Sequence, residues 1–514
     1  MSTPGLSVIV AACDAERSLG VTLDSIRHQR LRDWECIVVD DASEDGTAGV
    51  IKDYLSRDAR FSRLAHRARV GLREARATGL CAARAGQICF VDAGQQVGAG
   101  AMAPAIPIET ARADAAQTGV SADVLLVAHK DYHVRSFALL LDVLRGAGAS
   151  FAFVDLRAVS GDEGARAEID ALGLPVLSYN QLLLGAVAPT LLVCMNDWDP
   201  SVRRVVEACK QVGIRTVGVV EGIQDYRDVD RRQRSPYRTV DHVILPGEFD
   251  RRYFAGARGV HVGGIPRIDA LLAESAVFPE QPLIVINSNF TYGVLVDQRD
   301  AWVRQAVAAC RRAGYDYVIS RHPADQGDFT GYRVTDESMY DAIRRGSVVV
   351  SRFGSAILEG LAMGKPVVYF NPHGERVDKF KQPNGAFAIA RSADELAAAL
   401  RDAVDDPQRF LAHADDYLEL HCGTRRGRVP AAERVAATLV ELYRGAPVPD
   451  DGRRARLASL LLAPPSPNRP PCGPVDAALR KLRKLARDPR GFFEDSRIRP
   501  VHLLKHLFQP GSGS

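Results

Sequence analysis

Short apolar runs alternate along this chain with stretches of helical spacing, and the alternation continues for more than four hundred residues. Leu6-Ser7-Val8-Ile9-Val10, Glu35-Cys36-Ile37-Val38-Val39 and Gln87-Ile88-Cys89-Phe90-Val91 read as buried strands, with a helix-spaced segment from Leu19 to Ile26 between the first two. A second set comprises Asp123–Val127, Phe151–Val154, Leu191–Cys194, Thr216–Val220 and His242–Leu245. A third comprises Leu283–Ile286, Tyr317–Ile319, Val348–Val350 and Val367–Tyr369, closed by helices near 394–403 and 430–444. Strands alternating with helices predict parallel sheets, so the expected class is α/β. Residues 98–121 are rich in Ala, Gly and Pro and read as a linker, as do the Pro-, Arg- and Ser-rich residues 446–474. The expected division is 1–97, 122–275 and 276–445, with a basic tail over 475–510.

With 514 residues the chain is too long for one ordinary core, in line with several domains. A formal net charge of +3 argues against a general nucleic-acid binder. The nine cysteines form no CxxC pair, and several fall within apolar strands, which suggests reduced core thiols and a cytoplasmic setting. Leu6 to Cys13 is too short, and lacks the basic flank, for a signal peptide. No apolar run approaches a membrane span. Leu479, Leu482 and Leu485 share one helix face among Arg480, Lys481, Arg483, Lys484 and Arg487, which implies contact with an anionic membrane surface or a helix packed on the core with a solvated basic face. The terminal Gly511-Ser512-Gly513-Ser514 reads as an appended segment.

The third α/β run carries the chemistry. Ser320-Arg321-His322-Pro323 ends one strand, Ser351-Arg352-Phe353-Gly354-Ser355 joins the next strand to a helix bearing Glu359, and Gly364-Lys365-Pro366 leads into another strand. Small and hydroxyl residues at a helix start leave backbone N–H groups free to face an anion. Ser351, Gly354 and Ser355 are candidate phosphate donors, Arg352 adds charge, and Glu359 is the candidate for ribose hydroxyls. His322 can donate to a leaving phosphate as charge develops on it. His373 and Glu375, after Val367–Phe370, suggest a loop for the donor sugar or a phosphate. In the second run, Glu221 ends a strand before Gly222 and could take a proton from an acceptor hydroxyl, while His129, Asp131 and His133 follow the first strand and could meet the acceptor or share the base role. Each position also has an ordinary reading as a helix cap, turn residue or solvated carboxylate. Pairs of His and Asp lack metal-ligand spacing, so neither a metal site nor a resident cofactor is expected.

About the first hundred residues resemble the start of family 2 glycosyltransferases, of GT-A type, through Ser7–Val10, Ala15-Glu16, Leu23–Ile26, Val39-Asp40-Asp41-Ala42-Ser43-Glu44-Asp45-Gly46-Thr47, Gly71-Leu72 and Ala75-Arg76. The resemblance implies that Asp14 and Asp41 contact the nucleotide base and ribose. The family's Asp-x-Asp metal motif is here Asp92-Ala93-Gly94, with one carboxylate missing, and the acceptor-side half has no room before the linker. The module is therefore expected to be truncated and to serve as a relic or docking domain.

Residues 123–445 resemble GT-B transferases of bacterial surface polysaccharides, close to CDP-glycerol glycerophosphotransferase-like enzymes and to transferases of CMP-activated acidic sugars. The residues that carry this are Glu221–Tyr226, Gly263–Asp269, His322-Pro323, Ser351 to Glu359 and Asn371–Glu375. Val220 and Glu221 depart from the acidic pair or histidine that those groups place before the glycine. The implied function is metal-independent transfer from a nucleotide-sugar donor to a glycan or lipid-linked acceptor in capsule or lipopolysaccharide synthesis, peripheral on the inner face of the cytoplasmic membrane. Glycerol-phosphate transfer, nucleotide-sugar 2-epimerisation and a non-catalytic scaffold remain as alternatives.

Overall fold

The computed structural model describes residues 3–98, 105–195, 197, 199–220, 237, 239–254, 258–272, 276–290, 296–322, 325, 327–375, 377–447, 450 and 452–462. The chain divides into two compact units, one drawn from Met1–Val219, Tyr237–Val243 and Leu439–Pro467, the other containing Ile244–Thr438. Both are α/β, as the alternation predicts.

The first unit holds two sheets. Strands β1 (Leu6–Ala12), β2 (Trp34–Asp40), β3 (Phe61–Ala65), β4 (Gln87–Asp92) and β5 (Ile106–Pro107) run in the order β3-β2-β1-β4-β5. β1, β2, β3 and β4 pair in parallel and β5 closes the edge antiparallel to β4. Every residue of β1 and β2 is buried, which is what the continuous apolar runs require of strands covered on both faces. The expected linker at 98–121 contains β5 and a helix, Ile108–Ala116, that buries Ile108 and Ala111. Its Ala- and Gly-rich composition hid a short amphipathic face.

β6 (Val124–Val127), β7 (Phe151–Asp155), β8 (Val176–Ser178), β9 (Leu191–Cys194) and β10 (Arg215–Val219) belong to a second, seven-stranded sheet, in which their order is β10-β9-β6-β7-β8. Asn180 ties the first module to it. Its Nδ2 donates to Glu74 O at 3.1 Å, Glu74 Oε2 at 3.0 Å and Thr78 Oγ1 at 2.9 Å. The 446–474 segment, expected as a linker, includes the helix Arg453–Leu462, which buries Leu457 and Leu461 one turn apart. Strands β11 (His242–Leu245) and β12 (Gly259–Val262) follow along the chain. The basic tail at 475–510 lies outside the described residues, as does Glu221.

In the second unit, β13 (Leu283–Ser288), β14 (Asp316–Arg321), β15 (Val334–Thr335), β16 (Val348–Ser351), β17 (Val367–Phe370) and β18 (Ala388–Ala390) form one parallel sheet, β15-β14-β13-β16-β17-β18. Numbered within the sheet this is 3-2-1-4-5-6, the doubly wound dinucleotide-binding order, and the direction of winding reverses between β13 and β16. Apolar clusters fill both faces: Trp302, Phe370 and Leu396 on one, Ile357, Leu361 and Phe380 on the other. Among the described residues no helix is long and apolar enough to cross a membrane.

Candidate functional site

The second unit gathers most of the expected site residues at the carboxyl ends of its strands. Asn287 of β13 lies opposite Ser351 of β16, so the crevice of the winding reversal opens just beyond them. The helix Ser355–Ala362 starts there. Apart from Ser355 and Glu359 it is apolar, and Ala356, Ile357, Leu358, Leu361 and Ala362 are buried. A Cβ on Gly360 would come within 2.9 Å of Val367, so the glycine lets this helix press onto the sheet and fixes where its first turn ends up. Gly354 occupies its N-cap without a side-chain cap, leaving first-turn amides to face the crevice.

Asn289, absent from the sequence-based candidates, closes the other side. Its Nδ2 donates to Phe353 O at 2.9 Å and would stand 2.6 Å from a Cβ on Gly354. That bond assigns the amide orientation and leaves the buried Oδ1 without a hydrogen-bond partner among the described residues. A polar residue just past the end of β13 was the available signal, because ligands of such sheets bind there.

Glu359 is 2% exposed. Arg267 Nε donates to its Oε1 at 3.2 Å and the Tyr340 hydroxyl donates to the same oxygen at 3.1 Å. Its Oε2 is buried and has no hydrogen-bond partner among the described residues, a position that suits a hydroxyl donor. Ser351 is fully buried and donates to Arg352 O at 2.7 Å, so its hydroxyl serves the strand end. Ser355 is half-buried in the first turn of the helix.

Arg352 and Glu375 meet each other. Arg352 Nε donates to Glu375 Oε1 at 2.6 Å, with the guanidinium 4.6 Å from the Phe290 ring centroid. Burial raises the Glu375 carboxyl pKa, and the Arg352 charge opposes that shift. Asn371 closes the loop that carries His373 and Glu375: its Nδ2 donates to Glu375 O at 3.0 Å and its Oδ1 accepts from Glu375 N at 2.7 Å.

His322 follows β14 with its side chain exposed at the sheet edge. Desolvation lowers its pKa from the ordinary histidine range, and the Asp325 carboxylate works in the other direction. Near neutral pH the ring is therefore largely uncharged, able to donate from one nitrogen.

Of the acceptor-side candidates, His129, Asp131 and His133 lie in the first unit, beyond β6. His133 is buried on the helix Asp131–Ala138, and its Nδ1 accepts from His129 N at 3.2 Å. Burial, with the charges of His129 and Lys130, pushes its pKa down to about 3. Asp131 is half-buried to exposed and pairs with Arg135 at 2.6 Å; desolvation works against its charge, but the Arg135 contact prevails and its pKa is lowered. Asp197, beyond β9, is 4% exposed and accepts from Tyr237 N at 2.7 Å.

The carboxylates of the N-terminal module are bound by the chain itself. Asp14 pairs with Arg69 at 2.6 Å and accepts from Glu44 N at 2.8 Å. Asp41 is 3% exposed and accepts from His66 Nδ1 at 2.8 Å, Val70 N at 2.9 Å and Gly71 N at 2.7 Å. Asp40 pairs with Arg63 at 2.7 Å, and Asp92 with Arg76 at 2.5 Å. Among the described residues, no group of three or more His, Cys, Asp or Glu is placed to hold a metal ion.

Residues 7–106 match the model of the glycosyl transferase family 2. The N-terminal module is a family 2 glycosyltransferase domain. The chain is 40% identical over 77 residues, 15% of its length and 22% of the relative's, to the uncharacterized glycosyltransferase EpsJ of Bacillus subtilis strain 168. It spans less than a quarter of the length of the first curated relatives that it matches. Among solved structures, the UDP-GlcNAc 2-epimerase of Methanocaldococcus jannaschii, in complex with UDP-GlcNAc and UDP, aligns with TM-score 0.45 and 10% identity over 62% of this chain and 99% of that one. The wall teichoic acid polymerase TagF aligns with TM-score 0.43 and 12% identity over 63% and 90%. The strand order, not these scores, carries the fold assignment of the second unit.

Proposed function

We propose that this chain is a glycosyltransferase that moves a sugar from a nucleotide-activated donor to a growing bacterial surface glycan, and that the donor binds in the second unit. One observation supports this reading above the others. The winding reversal of a 3-2-1-4-5-6 sheet brings an uncapped helix start at Gly354 and Ser355 and the unfilled Glu359 Oε2 to one edge, where His322 also emerges. Amides suit a phosphate, and an unfilled carboxylate oxygen suits a ribose hydroxyl. His322 donates to the departing phosphate as the bond to the anomeric carbon breaks. The acceptor hydroxyl attacks that carbon and gives up its proton to a base, for which Glu221, Asp131 and His133 are the candidates.

In this reading the N-terminal family 2 domain is a docking module: buried Asp41 is held by three donors of the chain, Asp14 is tied to Arg69 and Glu44, and the Asp-x-Asp motif is incomplete. Capsule or lipopolysaccharide as the product, a lipid-linked acceptor, and attachment to the inner membrane face through the basic tail complete the proposal. A panel of CMP-, UDP-, GDP- and dTDP-sugars with CDP-glycerol as the competing donor tests it. Nucleotide release that depends on acceptor supports sugar transfer. CMP release from CDP-glycerol alone moves the attack to phosphorus, and turnover of a UDP-sugar without acceptor marks an epimerase.

A further inference from the structure

Behind His322 lies a buried charged assembly that the donor-site reading leaves unused. The Ser288 carbonyl accepts from His322 N at 2.9 Å, and Asp325 N donates to His322 O at 2.8 Å, so the histidine backbone is held on both sides. The same two residues join through their side chains: Ser288 Oγ donates to Asp325 Oδ2 at 2.5 Å. Asp325 Oδ1 accepts from Arg299 Nε at 2.8 Å and Gly327 N at 3.0 Å. The Asp325 and Arg299 side chains are 1% and 4% exposed. Arg299 also donates to Asp328 O at 3.1 Å and lies 4.0 Å from the Phe329 ring centroid. A Cβ on Gly327 would fall 1.8 Å from the Arg299 Cζ, so this turn needs glycine at that position.

A buried ion pair contributes little net stability compared with well-packed apolar residues, and its better-attested use is to fix one geometry. Here the geometry fixed is that of Asp325 and Gly327 against the backbone of His322, which is itself exposed at the carboxyl end of β14. We propose that Asp325 is the positioning residue for His322, acting with Ser288 and Arg299 to hold the ring where the departing phosphate of the donor is met. The inference rests on the donor-site reading above for what His322 does, and on the hydrogen bonds alone for how it is held.

The test is the His322 ring resonance in full-length protein carrying ¹³C-labelled histidine, assigned with His322→Gln and followed during titration with CMP and with UDP. Arg299→Gln combined with Asp325→Asn removes both buried charges together, which avoids stranding one of them. Ser288→Ala removes the hydroxyl and keeps the carbonyl that His322 N uses. The double variant is expected to melt cooperatively, to show a displaced His322 resonance before any nucleotide is added, and to bind the better nucleotide about tenfold more weakly, with Ser288→Ala intermediate. A folded double variant whose ligand-free His322 resonance and nucleotide response both match the wild type overturns the proposal. If the wild-type resonance responds to neither of these nor to CDP, GDP or dTDP titrated in the same way, the donor-site reading fails, while the ligand-free comparison still decides whether Asp325 positions the ring.

Discussion

Arg352 and Glu375 form a buried ion pair, Nε to Oε1 at 2.6 Å, with side chains 3% and 7% exposed. The pair ties the end of β16 to the loop after β17. Removing one partner strands the other in a low-dielectric setting. Arg352→Met and Glu375→Leu should therefore each cost about 3–5 kcal/mol in urea unfolding of the second unit, and the double variant clearly less than their sum. Additive losses would show that the two side chains act separately.

Two buried histidines set the acid limit of the fold. His133 in the first unit has its pKa pushed down to about 3, and His421 in the second, packed between Phe249 and Tyr417, to about 2. In both, burial is the largest cause. The unfolded chain takes up these protons below about pH 6.5 while the folded chain does not, so the stabilising contribution is complete above that pH and shrinks as pH falls. Each unit should lose about 2 kcal/mol between pH 6.5 and 5 from its own histidine. His421→Gln should flatten that pH dependence in the second unit alone, as read by melting temperature against pH. An unchanged slope would place the titrating group elsewhere.

Gly354 sits at φ 165°, extended backbone open to any residue, so its requirement is one of space. A methyl there meets Asn289 Nδ2 at 2.6 Å. Gly354→Ala should leave the melting temperature nearly unchanged and weaken nucleotide binding about tenfold by displacing Asn289. Adding Asn289→Ala to relieve the clash should not restore affinity if the Asn289 oxygen contacts the ligand. Full recovery would reduce Asn289 to a spacer.

The central strands were legible because strands covered on both faces must be largely apolar: Leu191–Cys194 and His242–Leu245 appear with the expected bounds. β3 was not, since its pattern is one buried residue followed by exposed Ser62 and Arg63, and β8, β15 and β18 are edge strands of two or three residues with too little pattern to read. The helices at 108–116 and 453–462 were hidden by Ala- and Arg-rich composition. At the site, residue types marked the loops after β14, β16 and β17, and sheet order gathers those strand ends. Which charges stay open to a ligand was beyond the sequence: Arg352 and Glu375 are distant in the chain, and so are Asp14 and Arg69. Only folding shows that each is already paired.

The central claim is that nucleotide is gripped in the second unit and not by the family 2 domain. Thermal melts of the wild type with CMP, CDP, UDP, GDP and dTDP, repeated on Glu359→Gln and on Asp14→Asn, test it most directly, since a ligand that binds only the native state raises the melting temperature. At least one nucleotide should stabilise the wild type and Asp14→Asn alike and lose that effect in Glu359→Gln. Stabilisation that survives in Glu359→Gln and disappears in Asp14→Asn would contradict the account.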